Sequence, residues 1–208
     1  MNFSCKANVR RIKSKIPGIS LFYLSLYIPI ALMAYFPQWY IFNCKFHHRC
    51  NLIGYSNSLK SIDELTAFFL HKSLLSDEWS GKEKVHLGEV RDIFDILAII
   101  AFLCIVLLIV SFDRSKISTC ASVNLVIILS LLVLLPFFKT FWVNIFHPLV
   151  FDNDLWKNNY LDRSYYIMPG IFFKHSLIFL IALSSLLNGI LWLSFKGFKQ
   201  KADGVRSR

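Results

Sequence analysis

Hydrophobic positions along this chain do not alternate with polar ones at a helical or strand period; they come in long blocks. Four apolar runs occupy residues 16–42, 93–112, 119–138 and 176–195. Each approaches or reaches the roughly 20 residues that, at 1.5 Å per residue, cross a bilayer's hydrocarbon as a helix. A soluble helical protein would place a polar residue every turn or two, and these runs are not interrupted that way. Between them the pattern changes. In IDELTAFFLHKSLL, Ile62, Leu65, Phe68, Phe69 and Leu75 fall on one helical face, with Lys60, Asp63, Glu64 and Lys72 toward the wet side. Ser61 followed by Glu64 reads as a capping box opening that helix. It either lies at the headgroup level or packs inside a small external cap. A second box, Ser80 with Glu83, opens a helix expected to run unbroken into the second apolar run. The expectation is an all-α integral membrane protein, one membrane domain over 1–208. Four transmembrane helices carry a small extracytoplasmic cap made of loops 43–92 and 139–175.

Composition agrees: 55% of the 208 residues are hydrophobic. Charge then gives orientation. Lys6, Arg10, Arg11, Lys13 and Lys15 precede the first run, Arg114 and Lys116 (with Asp113) link the second to the third, and Lys196, Lys199, Lys201, Arg206 and Arg208 (with Asp203) follow the fourth. These segments account for the entire net charge of +10, and everything else sums to zero. A basic balance often marks nucleic-acid binding, but the positive-inside rule absorbs all of it, so no nucleic acid is expected. Both termini are placed in the cytoplasm and both long loops outside. The first run is too long for a signal peptide's apolar region, and Pro29 is read as a kink in a retained helix.

Five cysteines divide by compartment. Cys5, Cys104 and Cys120 fall in the cytoplasmic and membrane segments and are read as inert. Cys44 and Cys50, in CKFHHRC, face the outside, where a disulfide persists and would stabilise by roughly 2.4 kcal/mol. A metal site on Cys44, His47, His48 and Cys50, or unpaired thiols, are the other readings of that stretch.

Candidate chemistry sits at the outer mouths of two spans. Glu83, His86 and Glu89 recur every three residues and share a helical face, with Arg91 and Asp95 paired at i,i+4 on another. A solvated charged collar would explain one such histidine. The second loop adds His147, where Pro148 biases the chain away from helical geometry and should end the helix. Phe141, Trp142, Phe146, Phe151, Trp156, Tyr160, Tyr165, Tyr166, Phe172 and Phe173 surround it in sequence. An interfacial aromatic belt accounts for part of this set, but not for the interleaved DNDLW and LDRSYY. A confined aromatic pocket holding two imidazoles and several carboxylates accounts for more. His71 is assigned to the amphipathic face and His175 to the cap of the fourth span.

At these stretches the sequence resembles the Lit family, the lipoprotein intramolecular transacylases. The similar features are HLGEVR at 86–91, FHPLVF at 146–151, Trp156, and LDRSYYIMPGIFF at 161–173. The family pattern is a histidine, usually a methionine, an acid and a base, then an FHxxFF block, Trp, Asp and Pro-x-x-Phe-Phe. Here Leu87 replaces the methionine, Glu89 stands for an aspartate, Arg91 for a lysine, and Val150 for one phenylalanine. SIDELTAFFLHKSLL is similar to a helical pattern of the family's first outer loop, whereas CKFHHRC has no counterpart. The resemblance is loose over all four spans and specific across roughly 35 residues.

The resemblance implies a four-helix membrane enzyme of the bacterial cytoplasmic (inner) membrane with its active site facing outside. Its substrate would be a diacylglyceryl-modified lipoprotein, whose sn-2 acyl chain moves to the α-amine of its N-terminal cysteine. His86 and His147 would be catalytic. Glu89, Arg91, Phe146, Phe151, Trp156, Tyr160 and Asp162 would line the substrate site. The partners are then lipoproteins and membrane lipid, with no metal or cofactor required. Competing readings are a metal-dependent membrane hydrolase using His47, His48, His86 and His147, and a non-enzymatic lipid-binding scaffold. A quinone-linked thiol oxidant would need a second outer cysteine pair, which the second loop lacks.

Overall fold

The computed structural model describes the backbone of residues 3–111 and 113–206, and side chains from 16 to 197 apart from 112 and 115. Cys5 and the basic residues 6–15, Phe112, and the charged residues from 199 onward lie outside the described side chains. Among the described residues the regular structure is helical throughout. The order is α1 (Phe3–Tyr35), α2 (Pro37–Cys44), α3 (Arg49–Leu52), α4 (Tyr55–Phe69), α5 (Gly81–Val110), α6 (Arg114–Ser130), α7 (Phe138–Phe141), α8 (His147–Val150), α9 (Arg163–Ile167) and α10 (Gly170–Arg206). Among the described residues, four segments are long and apolar enough to cross a membrane: Ile16–Tyr35, Gly81–Val110, Lys116–Leu134 and Gly170–Gly197.

Prolines set several of these boundaries. The first span ends at Tyr35 rather than at residue 42, because Pro37 restricts Phe36 to extended geometry (φ −110°, ψ 121°) and starts α2 as a separate helix. At Pro136 the third span ends through tight turns: a 3₁₀ turn over Leu131–Leu134 closes it, and α7 begins only at Phe138. Pro169 precedes α10, so the fourth span starts at Gly170, earlier than residue 176. Pro29 is fully buried inside α1.

The chain divides into two compact units. One comprises residues 1–29, 97–131 and 180–208. Its helices meet through small and polar residues, as membrane helices do when no hydrophobic force between them drives association. The Tyr23 hydroxyl donates to the Leu97 carbonyl at 2.8 Å, and the Ser184 hydroxyl donates to the Ser25 carbonyl at 2.7 Å. Gly18 sits where a Cβ would come within 3.2 Å of the Cys120 sulfur, so the missing side chain permits the close approach. Large apolar residues such as Phe102, Ile109, Val126 and Leu193 stay exposed, as lipid-facing positions should.

The other unit comprises residues 30–96 and 132–179 and contains its own core. Ile62, Leu65, Phe68, Phe69 and Leu75 are all buried there, packed with Trp79, Leu87, Ile167 and Phe172. A helix resting on headgroups would leave that face open, so α4 belongs inside the cap. Its start differs from the sequence expectation. Gly54, at φ 85°, permits a turn that opens α4 at Tyr55, one and a half turns before Ser61. Ser61 bonds the Asn57 carbonyl inside the helix. Glu64 instead accepts from Ser76 at 3.0 Å and from the Trp79 indole at 2.8 Å, which ties the following loop to α4.

The second capping box is present and reciprocal. The Ser80 backbone N–H donates to Glu83 Oε2 at 2.9 Å, while the Ser80 hydroxyl accepts from the Glu83 N–H at 3.4 Å. From there α5 runs without a break to Val110. Cys44 and Cys50 are joined as a disulfide, and Cys104 and Cys120 are free.

Candidate active site

His86 projects from the second turn of α5, where Ser80 and Glu83 fix the helix start. Its ring is largely buried, and its Nδ1 lies 3.4 Å from Glu89 Oε2, one turn further on. Glu89 is itself held, because Asn153 donates to its other oxygen at 2.7 Å. Asn153 Oδ1 in turn accepts from the Leu155 backbone N–H at 3.0 Å. The chain of contacts therefore runs from loop backbone to amide, carboxylate and imidazole. A carboxylate on Nδ1 holds the proton there and leaves Nε2 as the working nitrogen. Glu83 does not share in this contact. Although it lies on the same face, it is buried and accepts from the Ser164 backbone N–H at 2.7 Å and the Ser164 hydroxyl at 2.6 Å.

His147 is reached by an unusual backbone. Between α7 and α8 the helix widens into a π-helical turn over Trp142–Phe146. The wider turn accommodates the Pro148 ring, so His147 keeps helical angles (φ −63°, ψ −48°) where the sequence pattern points to extended ones. The helix continues to Val150 and ends at Phe151, which is extended. Within the π turn the Trp142 carbonyl accepts twice from His147, from its backbone N–H and from its ring Nδ1 at 2.7 Å. This too leaves Nε2 free of a proton in the neutral ring.

Aromatic rings enclose both imidazoles. The Phe151 ring lies 4.6 Å from the His86 ring and 5.8 Å from the His147 ring, centre to centre, and so bridges them. Trp156 lies at 4.1 Å from His147 and Trp142 at 4.9 Å. Phe146 and Phe173 stack against Trp142 at 4.5 and 4.7 Å and back the wall. Burial holds the His147 pKa below the usual imidazole value, with the Trp142 carbonyl opposing the shift and not reversing it. A pKa lower in the folded than in the unfolded chain contributes stability above the unfolded value, and that stability is lost as pH falls through the folded one. His147 is therefore expected to stay neutral at pH values where a free histidine is already half protonated. Carbon-13 NMR titration of labelled histidine, assigned with a His147 variant, reads this directly; a midpoint at or above the ordinary imidazole value would contradict it.

Of the positions singled out in the sequence, His86, Glu89, Phe146, His147, Phe151 and Trp156 come together. The other three do not join them. The Arg91 guanidinium lies 4.2 Å over the Phe68 ring, and its i,i+4 neighbour Asp95 contacts His71 at 2.9 Å instead. His71 itself sits after α4 in the left-handed region (φ 57°) rather than on the helix face. Asp162 is buried, ion-paired to Lys82 at 2.7 Å and bonded to Ser80 and to the Asn159 N–H. Tyr160 is exposed, and its carbonyl accepts from the Tyr166 hydroxyl. Asn153 and the Trp142 carbonyl are the site groups that sequence reasoning missed. DNDLW gave a hint of the first, since polar residues interrupt an aromatic stretch there. Nothing in the sequence marks a carbonyl.

Side chains able to bind a metal gather elsewhere. Cys44, His47 and Cys50 bring ligand atoms within 4.8 Å of one another, but both sulfurs are committed to the disulfide. Among the described residues, no such group of three includes His86 or His147.

A family model described as lipoprotein intramolecular transacylase Lit matches residues 15–173. The chain is similar in fold to a membrane-integral lipoprotein intramolecular transacylase from Bacillus cereus, with a TM-score of 0.80 at 16% identity, covering 95% of this chain and 99% of that one. Two further structures of the Bacillus cereus protein carry a single histidine replaced by arginine or by alanine. They match at TM-scores of 0.76 and 0.74, with 15% and 14% identity, over 98% of this chain and 98% and 99% of theirs. No curated protein matches the sequence.

Proposed function

This membrane-integral chain belongs to the lipoprotein intramolecular transacylases, an acyltransferase family, and from that premise we propose that His86 and His147 move an acyl chain within one lipoprotein molecule. The substrate is a lipoprotein with a diacylglyceryl thioether on its N-terminal cysteine and a free α-amine. Its sn-2 acyl group passes from the glyceryl oxygen to that nitrogen, leaving a lyso-form lipoprotein. The observation that carries the reading is the pair of imidazoles that both contact the Phe151 ring, each with Nδ1 engaged and Nε2 free.

The chemistry needs two proton carriers. The attacking nitrogen begins as an ammonium with a pKa near 7.7–8.0 and must lose two protons to become an amide. One leaves before attack, and one leaves the tetrahedral intermediate; the departing glyceryl alkoxide takes one back. His86 suits the first, since Glu89 stabilises the imidazolium that forms. His147 has a backbone carbonyl and no carboxylate beside its ring, so its imidazolium is the less stabilised of the two and a ready acid. It accepts the second proton from nitrogen and passes it to the alkoxide as the carbon–oxygen bond breaks. The ring that joins nitrogen to the ester carbon is roughly eight-membered, and such rings close poorly in solution. Holding its ends between aromatic walls supplies much of the rate, and excluding water favours transfer over hydrolysis.

In this reading the site faces outside the cytoplasmic membrane, with both termini inside, as the distribution of basic residues favours. Purified protein incubated with a synthetic diacylglyceryl-cysteinyl lipopeptide and no other acyl donor is expected to give a product of unchanged mass. Tandem mass spectrometry is expected to find one acyl chain on nitrogen and one ester on glyceryl. A gain of one chain would mean an intermolecular transferase, and a loss would mean a hydrolase; either refutes the proposal.

A further inference from the structure

The stretch CKFHHRC, which the transacylase chemistry leaves unused, forms a second pocket. Lys45, His47, His48, Asn51 and Tyr55 line a wide-mouthed surface depression of about 600 Å³ beside the Cys44–Cys50 disulfide. Both ring nitrogens of His47 are buried without a hydrogen-bond partner. A buried imidazole left this way is costly unless something else fills the gap. Burial first, then the neighbouring Arg49, His48 and His175, disfavours a charge on His47. No acid offsets them. The first acidic residue in the chain is Asp63, and among the described residues no ion pair involves Lys45, His47, His48 or Arg49. The Lys45 ammonium and the unpartnered His47 imidazole, with no carboxylate beside them and Arg49 close by on the Tyr165 carbonyl, are complementary to an anion. Together they are hostile to a cation, the more so because both sulfurs are oxidised.

Position says where the anion comes from. The first span ends at Tyr35, and α2 starts two residues later. The Trp39 indole donates to Ser176 at 3.0 Å, and His175 contacts Asn43 at 2.9 Å, both within the first two turns of the fourth span. The pocket therefore lies at the end of two spans, at the depth of lipid headgroups. Phe42 and Phe46, half-exposed and 4.9 Å apart, form an aromatic pair beside it of the kind found at that depth.

We propose that this pocket binds the phosphate of an anionic phospholipid, with its acyl chains against Phe42 and Phe46. The lipid is a seated ligand and not the acyl donor. Native mass spectrometry of the detergent-solubilised full chain, with phosphatidylglycerol or phosphatidylcholine added, tests this. Phosphatidylglycerol is expected to remain bound several-fold more than phosphatidylcholine. Lys45→Gln is expected to cut that preference about fivefold, the usual worth of one cation near an anionic surface, and Lys45→Gln with His48→Gln to abolish it. Lys45 and His48 are exposed, so these changes spare the core, and intact mass shows whether the disulfide is retained. Equal retention of the two lipids, or a preference indifferent to both substitutions, would overturn the site. A third arm adds inorganic phosphate alone. If phosphate raises the unfolding temperature of the wild type and not of the double variant, while the two lipids bind equally, the pocket takes a free anion and the lipid assignment is wrong.

Discussion

His86→Asn and His147→Asn are each expected to slow isomerisation of the diacylglyceryl-cysteinyl lipopeptide by on the order of 10²-fold or more, the usual worth of general acid–base catalysis. Asparagine is the demanding replacement. It keeps hydrogen-bonding capacity and most of the buried volume but cannot exchange a proton near neutral pH. At position 147 its side-chain amide can still donate toward the Trp142 carbonyl, so the π turn has a substitute for the Nδ1 contact. Single-turnover assays by tandem mass spectrometry, on protein whose unfolding temperature matches the wild type, isolate the chemical step. The double variant is expected to lose little beyond either single one, since both histidines serve one proton path. Rates within a few-fold of wild type in both single variants would remove the two-histidine mechanism.

Glu83→Ala is expected to destabilise the protein by roughly 3 kcal/mol, through stranded donors rather than lost chemistry. One carboxylate oxygen accepts from the Ser164 backbone N–H and hydroxyl, and the other from the Ser80 backbone N–H and hydroxyl. The Ser80 hydroxyl proton is shared, because it also faces Asp162 at 2.9 Å. Alanine leaves a buried backbone donor at Ser164 and a half-buried one at Ser80 with no acceptor, and deletes half of the capping box that starts α5. Glu83→Gln keeps one carbonyl oxygen and is expected to lose less. Thermal unfolding in detergent, followed by tryptophan fluorescence, measures both. An alanine variant with an unchanged unfolding temperature would show that the buried cluster contributes nothing. His86 stands one turn further along α5, so activity per folded molecule should also fall, though by less than in His86→Asn.

Membrane spans were legible in the sequence because a bilayer imposes a one-dimensional rule. Each crossing needs some twenty apolar residues whose backbone groups bond within the segment. Local helix signals worked where they were local in cause, as with Ser80 and Glu83. The other box misled: Ser61 and Glu64 have the same spacing, but Gly54 had already turned the chain and α4 was under way. Pro148 misled for a similar reason, since the π turn before it accommodates the proline ring. The two histidines were legible as a pair at span mouths, and the family resemblance gave them a chemistry.

What makes them a candidate site lay beyond the sequence. Phe151 against both rings, Asn153 behind Glu89 and the Trp142 carbonyl on His147 are meetings between a helix and a loop 60 or more residues away, or between a ring and a backbone atom. Arg91, Tyr160 and Asp162 carry the same residue-level credentials as Glu89 and Trp156, yet packing turns Arg91 onto Phe68, exposes Tyr160 and ties Asp162 to Lys82. Hydrophobic length is a property of neighbours in sequence and can be counted along the chain. Which polar group faces which depends on how the cap's core closes, and only the folded backbone decides that.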